Sequence, residues 1–284
     1  MKALLCTAVV TALVAGIGWQ AGAGAGGPAP GVIVGWDGAR APGSPLRYVA
    51  LPSGAGRTTV AAISVRSGRV IRYVRIEDEL GVPLVTFNGA TDGVSVDGKR
   101  LVLASWAQPG SASSTRFAVL RTATLRLERA ISLPGAWAFD ALSPDGSTIF
   151  ALEYLAQGDV PVYRVRAVDV ASGRPLPGAI VDSRDPAEKM LGIPYARAHG
   201  NRGLVYTLYA KPDGTAFVHA LDTLKRTARC IDLPWRGVGN AIPSVQLVVH
   251  RGTLMLRQPG VGRLAAVDTS RLEVRAFRRP VAAA

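Results

Sequence analysis

The sequence predicts an all-β fold, specifically a β-propeller of four-stranded blades, on three observations. Short alternating runs rich in Val, Leu, Ile, Thr and Tyr dominate the chain, and Gly, Pro, Asp and Ser break them at short intervals. No stretch beyond the N-terminal segment sustains a 3.6-residue apolar period. The third observation is self-similarity, which decides the architecture.

The N-terminal segment comes first. Met1-Lys2 is a short positive start, residues 3–17 are apolar and uncharged, and Ala-x-Ala spacing follows at Ala21-Gly22-Ala23 and Ala23-Gly24-Ala25. That order is the layout of a secretory signal peptide, expected over residues 1–25, with a linker over 26–30 and the propeller over 31–284. The apolar run is shorter than the roughly 20 residues that span a bilayer, so no transmembrane segment is expected after cleavage. Cys6 opens the apolar run instead of following it, which excludes a lipidation site. The expected location is therefore secreted or at the cell envelope.

Roughly 258 residues remain, enough for one large domain with a real core. Cys230 is the single cysteine left, so no intrachain disulfide is available, and its alternating context predicts a small buried hydrophobe on a strand. The net charge is +13, from 33 Lys and Arg against 20 Asp and Glu. The arginines are scattered and not clustered among aromatics, which argues against nucleic acid. They suit attraction to an anionic envelope component. The expected partner is such a component or a protein, and the expected state is a monomer.

The repeat carries the fold. Ala62-Ile63-Ser64-Val65, Val119-Leu120-Arg121-Thr122, Ala167-Val168-Asp169-Val170, Ala220-Leu221-Asp222-Thr223 and Ala266-Val267-Asp268-Thr269 share one pattern. Two small or apolar residues precede a polar one and then Val or Thr. Successive copies lie 57, 48, 53 and 46 residues apart, close to the spacing of propeller blades. In the clearest unit, Asp140-Ala141-Leu142 leads through Ser143-Pro144-Asp145-Gly146 into an apolar run over 148–154. Pro-Asp-Gly between apolar runs is a tight turn, with proline presetting φ and glycine taking the positive-φ position. Five units result, over about 31–83, 84–134, 135–183, 184–235 and 236–284, with six or seven blades left open. Asp169, Asp222 and Asp268 are read as turn caps and not as a carboxylate site.

Ser143-Pro144-Asp145-Gly146 before Ile149-Phe150, with Val168-Asp169-Val170-Ala171-Ser172-Gly173 further on, resembles the exported YVTN/YncE-type β-propellers and their surface-layer and lactonase-like relatives. The resemblance covers most of the chain but rests on turn and strand signatures, so it speaks to fold before function. It implies a central funnel, and it admits a lactonase-like hydrolase or a quinoprotein-like oxidoreductase beside a non-catalytic binding module.

The repeat alignment sets Asp92, Asp140, Tyr195 and Gln246 at one position of the innermost strand, facing the axis, and these are the candidate ligand-binding residues. No cofactor is expected; calcium is the metal that this oxygen-bearing ring leaves open. Trp106, Tyr154 and Tyr209 share the end of a second strand and read as inter-blade packing. His199 and His250 occupy similar turn positions and so are candidates to meet at one rim, while His219 reads as packed or at a sheet edge. No catalytic residue is assigned: the chain carries no Gly-x-Ser-x-Gly, no Gly-x-x-x-x-Gly-Lys and no His-Glu-x-x-His. The crossover 182–189 reads as a solvated loop that can cover the funnel together with 108–114 and 157–159.

Overall fold

The computed structural model of the chain describes residues 38–52, 56–105, 114–156, 162–185 and 190–282. The signal segment, the linker, Trp106, the loop 157–159 and all but Ser114 of 108–114 lie outside the described residues. Among the described residues, every regular element is a strand, apart from two three-residue 3-10 turns, Asn201–Gly203 and Ile242–Ser244. No helix among the described residues is long and apolar enough to cross a membrane.

Five antiparallel sheets follow one another along the chain. Blade 1 holds β1 (Leu46–Pro52), β2 (Thr58–Ser64) and β3 (Val70–Ile76), with Ala39 paired to Tyr48 on its inner side. Blade 2 holds β4 (Arg100–Ala104), β5 (Ser114–Arg121) and β6 (Leu127–Pro134), with Val94 paired to Leu101. Blade 3 runs β7 (Trp137–Leu142), β8 (Thr148–Ala156), β9 (Val162–Asp169) and the two-residue β10 (Arg174–Pro175). Blade 4 runs β11 (Ile193–His199), β12 (Leu204–Ala210), β13 (Ala216–Asp222) and β14 (Thr227–Asp232). Blade 5 runs β15 (Gln246–His250), β16 (Thr253–Gln258), β17 (Gly262–Asp268) and β18 (Val274–Ala276). This is a β-propeller. The repeated signature falls on the third strand of each blade, on β2, β5, β9, β13 and β17.

The turns form for the reasons the sequence gives. Asp145 Oδ1 accepts the Ser143 hydroxyl at 2.7 Å and the Ser147 amide at 3.0 Å. Blade 2 repeats this with Asp97, Ser95 at 2.6 Å and the Lys99 amide at 3.0 Å. Asp169, Asp222 and Asp268 each cap the turn that follows, accepting the amides of Ser172, Lys225 and Ser270 at 2.7, 2.9 and 2.8 Å.

Stability comes from the spaces between blades. Among the described residues, four apolar clusters join blade 1 to 2, 2 to 3, 3 to 4 and 4 to 5. Tyr48 and Val60 meet Leu101 and Leu120 in the first; Phe117 and Val119 meet Trp137 and Ile149 in the second. Phe150 and Val165 meet Tyr209 and Phe217 in the third; Tyr206 and Val218 meet Leu247 and Leu254 in the fourth. Tyr154 and Tyr209 are packing residues: Tyr154 lies edge-on to Tyr163 at 6.0 Å, and Tyr209 stacks on Phe217 at 5.1 Å. His219 is buried among them, edge-on to Tyr209. Cys230 lies buried on β14.

One loop departs from the sequence reading. Asp182, expected in a solvated crossover, is 5% exposed. It accepts the Cys230 amide at 2.8 Å and pairs with Arg184 at 2.6 Å and Arg229 at 3.3 Å. These donors hold its carboxyl below the usual range against a burial effect that pushes it up. The reason for the difference is a parallel bridge between Asp182 and Ala228, which draws the crossover from blade 3 onto the outer strand of blade 4.

Candidate functional site

Strand register defines which residues share the axial layer. Counting from the third-strand signature, Phe150, Tyr206 and Met255 are equivalent, and they pair with Ala141, Ala198 and Val248. Tyr48 pairs likewise with Ala39, and the Val102 amide donates to the Gly93 carbonyl at 2.7 Å. The residue just before each inner partner is therefore the equivalent one: Gly38, Asp92, Asp140, Arg197 and Leu247.

Asp92 and Asp140 thus share the layer the sequence alignment gave them, whereas Tyr195 and Gln246 do not. In blade 4 the matching residue is Arg197, two positions beyond Tyr195, because the β11–β12 turn is shorter than the β7–β8 turn: His199 already pairs with Val205, and Arg197 with Thr207, whereas blade 3 first pairs Leu142 with Ile149. Tyr195 is half-buried and lies edge-on to Phe87 at 5.6 Å. In blade 5 the match is Leu247, buried in the apolar cluster. Gln246, one residue earlier, points to the other face, is exposed, and accepts Arg257 Nε at 3.2 Å within its own blade.

Arg197 joins three blades. Its side chain is 3% exposed, as is that of Asp140, to whose carboxylate and main-chain carbonyl it donates from Nη2 and Nη1. Nη1 also lies 3.7 Å from Asp92 Oδ2. Asp140 is itself the bulged residue of β7, between Phe139 and Ala141, which lets its carbonyl leave the ladder and turn to the guanidinium. Burial lowers the affinity of Arg197 for its proton, and Asp140 and Asp92 more than restore it.

Asp92 is the hinge of the cluster. Its Oδ1 accepts the Gly93 amide at 2.7 Å. Its buried Oδ2 faces His199 Nε2 at 3.3 Å and Arg197, but receives no well-directed hydrogen bond among the described residues. Burial pushes the Asp92 carboxyl up, and His199, Arg197 and the Gly93 amide together hold it below the ordinary value. Gly93 is required beside it: φ is +119° and a Cβ would lie 2.7 Å from the Val102 carbonyl. His199, 47% exposed, closes the chain of charges toward solvent. His250 does not join it: the residue equivalent to His199 is Val249, so His250 lies on the opposite face of its sheet.

Asp92, Asp140 and Arg197 set two carboxylates against one guanidinium. The Arg197 guanidinium lies between the Asp92 and Asp140 carboxylates. Among the described residues, no three His, Cys, Asp or Glu side chains gather at metal-binding distance. Calcium does not fit this donor set while Arg197 is in place. Sequence reasoning missed Arg197 because an arginine breaks the polar-oxygen pattern and the β11–β12 turn is shorter than the alignment assumes.

No protein-family model matches the chain, and no curated protein matches it in sequence. Solved structures do. Hydrazine synthase of Kuenenia stuttgartiensis is similar at 17% identity and a TM-score of 0.47, over 82% of this chain and 64% of that one. TolB of Acinetobacter baumannii is similar at 13% identity and a TM-score of 0.46, over 83% of this chain and 53% of that one. A putative 6-phosphogluconolactonase of Bacteroides uniformis is similar at 10% identity and a TM-score of 0.44, over 85% and 69%. The chain thus spans less than two thirds of the first and second of these proteins.

Proposed function

We propose that this chain is an exported, non-catalytic propeller of the YVTN/YncE type that binds an anionic envelope component or a protein partner at the cell envelope. One observation carries the reading: Arg197 spends its guanidinium on Asp140 and Asp92, so the axial carboxylates serve to tie blades 2, 3 and 4 together. A buried pair satisfied in this way is a structural clasp, and removing either partner strands a charge. A lactonase-like enzyme would need those same carboxylates around a divalent metal, and a quinoprotein would need an arginine free to meet its cofactor. The signal-like N-terminus supports export, and the net charge of +13 supports attraction to anionic surfaces.

Co-sedimentation tests the reading. Purified protein is spun with phosphatidylglycerol vesicles, with phosphatidylcholine vesicles and with insoluble cell-wall polymer, at low and at physiological salt. Retention on an anionic phase that survives physiological salt is expected. Absence of binding to all three, together with turnover of a lactone substrate, would contradict it.

A further inference from the structure

The loop joining β14 to β15 builds a cavity of about 650 Å³ beside Gly237, Gly239, Asn240, Arg279, Pro280 and Val281. Its walls are fixed. The Val238 amide donates to the Gly214 carbonyl at 3.1 Å, and the Ala241 and Ile242 amides both donate to the Val238 carbonyl, at 2.8 and 3.1 Å. On the opposite side, Gln258, 6% exposed, holds the tail: its Oε1 accepts the Val281 amide at 3.0 Å and its Nε2 donates to Ser244 Oγ at 2.8 Å. Pro280 is buried beneath.

The cavity is rich in donors and poor in acceptors of charge. Arg279 reaches across it, with Nη2 3.3 Å from the Gly237 carbonyl and no carboxylate partner among the described residues. Among the described residues, the amides of Gly237, Gly239 and Asn240 find no acceptor within the protein. No acidic side chain among the described residues lines the cavity. Gly239 has open space where a Cβ would stand, so a ligand can approach the backbone directly. Free loop amides beside a guanidinium recognise oxyanions, by charge-assisted hydrogen bonds to two or more oxygens.

We infer that this cavity is an oxyanion site for a phosphate group, on a free small molecule or a lipid headgroup. The inference rests on the binding reading above and names its chemistry.

Backbone amide shifts of ¹⁵N-labelled protein test it, with inorganic phosphate titrated at constant ionic strength. Saturable shifts at Gly237, Gly239 and Asn240 are expected, weakened about tenfold by Arg279→Gln and unchanged by Arg271→Gln, an exposed arginine on the β17–β18 turn. No saturable response at these amides, or an equal response in both variants, overturns the inference. Loss of phosphatidylglycerol vesicle binding in Arg279→Gln assigns the site to a headgroup; retained vesicle binding with lost glycerol 3-phosphate binding assigns it to a free phosphate. Vesicle binding by a protein whose loop amides ignore phosphate sinks the cavity while leaving the binding reading intact.

Discussion

Arg197 grips Asp140 twice, through the main-chain carbonyl and through the carboxylate, so one guanidinium clamps the inner strands of two neighbouring blades. Both side chains are 3% exposed. Asp140→Ala therefore leaves the buried guanidinium with the main-chain carbonyl of residue 140 and, as its carboxylate partner, the more distant Asp92, and is expected to cost about 3–5 kcal/mol in urea unfolding at pH 7. Replacing both partners, Arg197→Met with Asp140→Leu, is expected to recover much of that loss. Additive single-site effects would show that the pair does not act as a unit.

Gly93 is the second test of the inner layer. Its positive φ and the Val102 carbonyl 2.7 Å from any added Cβ make Gly93→Ala costly. A loss of about 2 kcal/mol or more is expected by chemical denaturation. A neutral substitution would mean that this strand sits differently against β4.

The pH dependence of stability isolates His219, which is 2% exposed. Burial holds its imidazole below the usual value of 6.5, Asp140 and Asp182 pull it up, and Arg197 pushes it down. The unfolded chain then takes up a proton near pH 6.5 that the folded chain refuses, so stability falls as pH drops through that value. The slope is about 1.4 kcal/mol per pH unit for the one group. Asp92, held low in the folded state, contributes stability above its unfolded value, near pH 4, which is lost only as pH falls further. Denaturation at pH 5, 6 and 7 is expected to show a slope that His219→Gln flattens; an unchanged slope in that variant would reject the assignment.

Asp182 pins the crossover beside Cys230. Its carboxylate accepts the Cys230 amide and two arginines at the edge of β14. In a Cys6→Ser background, Asp182→Ala is expected to raise the rate of thiol labelling at Cys230 at least about tenfold, by raising the population of locally opened states. Labelling as slow as in the parent would mean that the crossover is held by other contacts.

Much of the fold was legible because the residues that turn and pack a blade recur. Ser95 with Asp97 and Ser143 with Asp145 announce the same turn, and the third-strand signature falls on β2, β5, β9, β13 and β17 as spaced. The axial site was half legible. Asp92 and Asp140 follow the repeat, but Arg197 and Leu247 are set by strand register, which turn lengths that differ between blades shift without any mark in composition. The burial of Asp182 was hidden for a similar reason, since its partners Arg229 and Cys230 lie 47 and 48 residues away on β14.

Calorimetric titration of the purified protein with calcium tests the central claim most directly, namely that Arg197, and not a metal ion, is the cationic partner of Asp92 and Asp140. The structure predicts no stoichiometric calcium binding by the parent protein at neutral pH. One calcium bound per chain, and lost in Asp92→Asn with Asp140→Asn, would contradict it.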